Sequence, residues 1–148
     1  DRTRERPATG RAGRIGEAAE TQTAETSRYH VILVDSSIWV DHLRREGHPL
    51  ARVLQEGVVL THPFVVGELA CGDLRRRKAI LELLAELPCA EVAEHDEVLS
   101  MVARRRLSGR GLGWVDAHLL ASALLSNCTL WTRDRALADA AKRLKVDV

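Results

Sequence analysis

Asp35, Glu68, Asp116 and Asp134 are the residues whose types and surroundings could do chemistry on a charged substrate. Asp35 ends the aliphatic run VILV and is followed at once by Ser36 and Ser37. Glu68 lies among Phe64, Val65, Val66 and Leu69, Asp116 opens the apolar stretch VDAHLLASALL, and Asp134 follows LWTR. A carboxylate in apolar surroundings is costly unless something positive meets it, and no Lys or Arg on these short stretches serves all four. A hard divalent cation, Mg²⁺ or Mn²⁺, would serve, since it takes oxygen ligands and binds through a few carboxylates and waters. Zinc would call for His and Cys at motif spacing, and the 6 His residues form no HExxH. His118 falls on a different helix face from Asp116 and reads as a packed residue. Each acid also has an ordinary alternative. Asp35, Asp116 and Asp134 suit helix N-termini, and Glu68 suits a helix surface.

The elements that must position these acids alternate between short apolar strands and helices. VILV, 31–34, reads as a strand buried on both faces, which puts Asp35 at the carboxyl end, where open α/β sheets bind ligands. VVLT, 58–61, is a second strand, 89–93 a weak third, CTLWT, 128–132, a fourth, and KVDV, 145–148, a candidate fifth. Helices are expected over 37–45, 49–56, 63–71, 75–87, 95–107 and 115–125, and after Asp134. Gly47, Gly57 and Pro88 supply stops, Pro63 a start, and SGRGLG, 108–113, a glycine-rich turn. The helix at 115–125 is apolar nearly all round and should be central. This pattern predicts an α/β fold, an α/β/α sandwich on a short parallel sheet.

Composition narrows the classes further. One Phe and one Tyr accompany 3 Trp, so the core must be built from Leu, Val and Ala. The formal charge is only +1, so nucleic acid binding would need a local basic strip such as Arg75, Arg76, Arg77 and Lys78, a run that equally suits a solvated helix start. Cys71, Cys89 and Cys128, widely spaced in apolar settings, read as buried reduced thiols. Nothing approaches a membrane span or a signal peptide, so a cytoplasmic protein without membrane contact is expected. Residues 1–28 have Ile15 as their one large aliphatic and are expected to be a disordered extension. Residues 29–148 are expected to form one domain.

The segments VILVDSSIWVDHL, VVGELACGDL, GWVDAHLLASALL and LWTRDRALA together resemble the PIN domain, specifically the VapC-type ribonuclease toxins of toxin–antitoxin pairs. The resemblance covers about residues 31–148. It implies a strand order of 3-2-1-4-5, which places Asp35 and Asp134 at one crevice, and an acidic site of Asp35, Glu68, Asp116 and Asp134. Ser36 or Ser37 takes the family's small polar position beside the first acid, and Thr132 the polar position before the last. It further implies a Mg²⁺-dependent endoribonuclease acting on RNA, a cognate antitoxin and a homodimer. The expected antitoxin groove lies on the helices at 37–45, 49–56 and 63–71, which carry Ile38, Trp39, Leu43, Leu50, Val53, Leu54 and Phe64. Two rivals stand beside this reading. An aspartate-nucleophile phosphatase would need a second Asp where this chain has Ser37, and a degenerate PIN-like module would act through its partner without catalysis.

Overall fold

The computed structural model describes Ile15 and residues 31–148. The aliphatic run becomes β1 (Ile32–Val34), paired in parallel on both sides in the order β2-β1-β3 with β2 (Val59–Leu60) and β3 (Thr129–Trp131). Leu33 pairs with Leu60 on one side and Leu130 on the other, and Leu33 and Val34 are fully buried. The expected outer strands shrink to single parallel bridges, Thr61 with Cys89 and Leu130 with Asp147. Their places still give the order 3-2-1-4-5. Each outer segment buries little, Ala90 and Val146 being inside while Val92 and Val148 are exposed, so little apolar area holds more than one pairing at a sheet edge.

Helices follow each strand: α1 (Ser36–Arg44), α2 (Leu50–Gln55), α3 (Pro63–Cys71), α4 (Arg77–Glu86), α5 (His95–Arg104), α6 (Trp114–Ser126) and α7 (Arg135–Arg143). Pro63 sits at the first position of α3, where its missing N–H costs nothing. Asn127 ends α6 in the left-handed conformation that turns the chain into β3. Residues Ala117–Leu124 are all buried, as an all-round apolar helix requires. Trp39, Leu50, Leu84, Leu119, Leu120 and Leu137 complete a core made chiefly of Leu, Val and Ala.

Two expectations need correction. Cys71 and Cys89 are exposed, and only Cys128 is buried; burial pushes its thiol up to about 12, so it stays protonated and inert. Glu68 is also exposed, because it shares α3 with the inward Val65 and Leu69 but points away from them. The expected disorder of 1–28 lies outside the described residues except at Ile15, which is 4% exposed and belongs to the core. That residue does contribute apolar burial. Among the described residues no helix is long and apolar enough to cross a membrane.

Candidate active site

The carboxyl ends of β1 and β3 lie side by side, and a network of hydroxyls joins them. Asp35, 6% exposed, precedes α1 in extended backbone but makes no capping bond with its side chain. Instead its Oδ2 accepts from Ser37 Oγ at 2.7 Å and from Thr132 Oγ1 at 2.8 Å. Each hydroxyl, its proton committed to Asp35, accepts a backbone N–H in turn: Arg133 N–H donates to Ser37 Oγ and Asp134 N–H to Thr132 Oγ1, both at 3.0 Å. The start of α1 is thereby stitched to the loop that carries Asp134.

The other three acids are held in the same manner, each by one oxygen. Asp116 Oδ2 reaches back to accept Gly113 N–H at 2.9 Å, and Asp134 Oδ1 accepts Leu137 N–H at 2.9 Å as the cap of α7. Glu68 Oε2 accepts from Ser36 Oγ. Among the described residues the second oxygen of each carboxylate has no hydrogen-bond partner. None of the four forms an ion pair there either. The helix-cap alternative therefore holds for Asp134, holds in part for Asp116, and fails for Asp35.

Electrostatics ties three of them together. Burial raises the Asp116 carboxyl above its ordinary range; the Gly113 N–H works against that rise, and the charges of Asp134 and Asp35 add to it. Glu68 joins through Ser36, the neighbour of Asp35. Among the described residues no three acidic, His or Cys side chains stand at the spacing needed to share one metal ion. Repelling carboxylates, each anchored to its own donor, are expected to stand apart in this way. Their chemistry nonetheless fits a hard divalent cation: oxygen donors throughout, mutual repulsion, and no fixed positive partner among the described residues.

Comparison with known proteins shows the family. The family pattern of the PIN domain matches residues 32–143, a span that contains all four acids. The chain belongs to the PIN domain family. It is 50% identical over 108 residues to Ribonuclease VapC32 of Mycobacterium tuberculosis strains CDC 1551 and H37Rv, covering 72% of this chain and 87% of that protein. It is a VapC-type PIN domain.

Within this PIN domain the two serines divide their work, Ser37 serving Asp35 and Ser36 serving Glu68. Sequence reasoning missed Asp41 and Arg133. The Arg133 guanidinium meets Asp41 at 2.6 Å, and the same carboxylate takes Arg45 at 3.0 Å and His48 at 3.3 Å. Asp41 thus fixes the residue between Thr132 and Asp134. Only its place on the same helix as Ser37 hinted at this in the sequence. His118 is buried between the Phe64 and Trp114 rings, the packed residue expected. Arg75 and Arg76 border a groove beside Glu68.

Proposed function

We propose that this chain is a Mg²⁺-dependent endoribonuclease and the toxin of a toxin–antitoxin pair, with Mn²⁺ able to substitute. The observation that carries this reading is the shared pattern of the four acids, one oxygen anchored to the protein and the other without a hydrogen-bond partner among the described residues. Ribonuclease VapC32, half identical over most of its length, supports RNA as the substrate. Asp35 and Asp116 are assigned as direct ligands, and Asp134 and Glu68 as holders of water or of a second ion. When bound, Mg²⁺ supplies a water of lowered pKa and neutralises charge on the phosphorane. The residues of the chain do the positioning. Ser37 and Thr132 aim the second oxygen of Asp35, Gly113 N–H aims that of Asp116, and Arg133, held by Asp41, keeps the Asp134 loop in register.

Removing an orienting donor should weaken activity without abolishing it. Ser37→Ala and Thr132→Ala should each lower the rate of RNA cleavage about tenfold, the lower range for residues that orient metal ligands. Rates of both variants equal to wild type, measured with purified protein and Mg²⁺, would remove the hydroxyls from the mechanism.

The antitoxin is assigned to a groove of about 980 Å³ whose lining runs from Ser36 and Glu68 to Leu83. Val40, Leu43, Leu74 and Ile80 give it an apolar floor, and Arg45 and Arg76 lie along it. Part of the expected surface is corrected here. Ile38, Trp39 and Leu50 are buried in the core, Val53 and Leu54 pack against it, and α4 replaces α2 as a wall. An amphipathic partner segment with acidic residues suits this lining and would cover the Glu68 edge of the site. Leu83→Asp on the exposed part of α4 should weaken capture of the adjacently encoded partner at least tenfold, for the loss of about 1.4 kcal/mol of apolar contact, with no change in melting temperature. Undiminished capture would place the partner elsewhere. The homodimer implied by the resemblance belongs to the same reading, and sedimentation of the purified chain tests it.

A further inference from the structure

The helices that carry Glu68 and Asp116 also carry a row of rings with no part in the acidic network. Phe64 lies one helical turn before Glu68 on α3, and Trp114 lies two residues before Asp116 at the start of α6. Both flank His118, with ring centroids at 4.7 Å from Phe64 and 4.8 Å from Trp114, and His95 continues the row 4.9 Å beyond Trp114. At the other end His62 lies 5.3 Å from Phe64. Two members are buried and fixed: His62 is fully buried between Ser122 Oγ and the Phe64 N–H, and His118 is 5% exposed. The His118 Nδ1 has no hydrogen-bond partner among the described residues, so ring packing dominates its placement. Phe64 and Trp114 differ from these, at 37% and 40% exposed. Exposing two large rings has a cost in water, and a rigid backing of buried histidines presents them at low entropic cost.

We infer that Phe64 and Trp114 form a stacking platform that holds bases of single-stranded RNA beside the carboxylates. This rests on the ribonuclease reading and names how that site grips its substrate. Charge is a poor source of grip here, because the chain carries a formal net charge of only +1 and the site itself is acidic. Stacking needs no charge, accepts any base, and requires unpaired strands. Because Phe64 shares its face of α3 with Glu68, one turn on, and meets Trp114 through the His118 ring, a strand stacked on these rings would bring its backbone to the Glu68 edge of the cluster.

The test is binding of a short fluorescein-labelled single-stranded RNA, followed by anisotropy, to Asp116→Asn protein in Mg²⁺, a background intended to bind without cutting. Phe64→Ala and Trp114→Ala, each added to that background, should weaken binding roughly five- to a hundredfold, the range that stacking of one base supplies. Phe64→Tyr and Trp114→Phe, which keep a ring, should retain most of it. An abasic strand of the same length should bind weakly and respond little to either alanine. Melting and sedimentation of the alanine variants should match their background. Equal binding by the alanine variants overturns the platform, as does a loss of binding that accompanies a change in sedimentation, which would make the face a seam between two copies. If neither the background nor wild type binds RNA, the ribonuclease reading itself falls, an outcome distinct from the other two.

Discussion

Asp35→Asn and Asp116→Asn should each reduce RNA cleavage by about a thousandfold or more, since on the proposed mechanism each removes a charge that would hold the ion and its activated water. The amide is nearly the size of the carboxylate, so folding should survive. Among the described residues Asp35 Oδ2 accepts from the Ser37 and Thr132 hydroxyls, and an amide oxygen can accept the same bonds. Asp116 accepts Gly113 N–H, which an asparagine oxygen also can. Loss of activity in variants that still fold and melt cooperatively is therefore the expected result, measured on total RNA with preparations shown free of host ribonuclease. Cleavage at wild-type rates by both variants would sink the site assignment.

A second large effect concerns stability and its dependence on metal and pH. The Asp116 carboxyl is raised above its ordinary value of 3.8, first by burial and then by Asp134 and Asp35, against the opposing Gly113 N–H. A raised folded-state value means that the folded form binds more protons than the unfolded one between the two values. The resulting contribution is fully present below the unfolded value and is lost as pH rises through the folded one. At neutral pH without metal, ionised Asp116 therefore works against folding. Asp116→Asn should melt at least as high as wild type in EDTA, and its stability should change less with pH across the acid range. Mg²⁺ reverses the order. Binding to the ionised cluster should stabilise wild type by about 2.7 kcal/mol at a hundredfold excess over Kd, several degrees in Tm, and should stabilise the variant less. If the variant melts lower in EDTA and both proteins gain equally from Mg²⁺, Asp116 is a helix-start residue and not part of a metal site.

The legible parts of the fold were those written in contiguous residues. Four aliphatics before Asp35 gave β1 and its carboxyl end, and the longer all-round apolar run gave α6, because run length separates a buried strand from a buried helix where periodicity does not. The outer strands were legible as positions but not as strands, since a single inward residue at a sheet edge cannot distinguish a bridge from a ladder. Exposure was harder to read. Glu68 and Cys71 sit in apolar sequence yet face outward, because Val65 and Leu69 are the α3 residues that the core buries fully. The division of Ser36 and Ser37 between Glu68 and Asp35 depends on where α3 and β3 lie in space. The same holds for the Asp41–Arg133 pair, 92 residues apart in sequence, and for the row of rings that joins α3, α5 and α6.

The most direct measurement is cleavage of RNA by wild-type protein freed of any partner, with Mg²⁺, with EDTA, and with Mg²⁺ restored after EDTA. A nuclease built on Asp35, Glu68, Asp116 and Asp134 should cut in the first condition, stop in the second and recover in the third, without comparable action on duplex DNA. Cleavage that persists undiminished in EDTA, or no cleavage by folded protein that calorimetry shows does not bind the ion, would contradict it, and the second outcome would leave a non-catalytic PIN module.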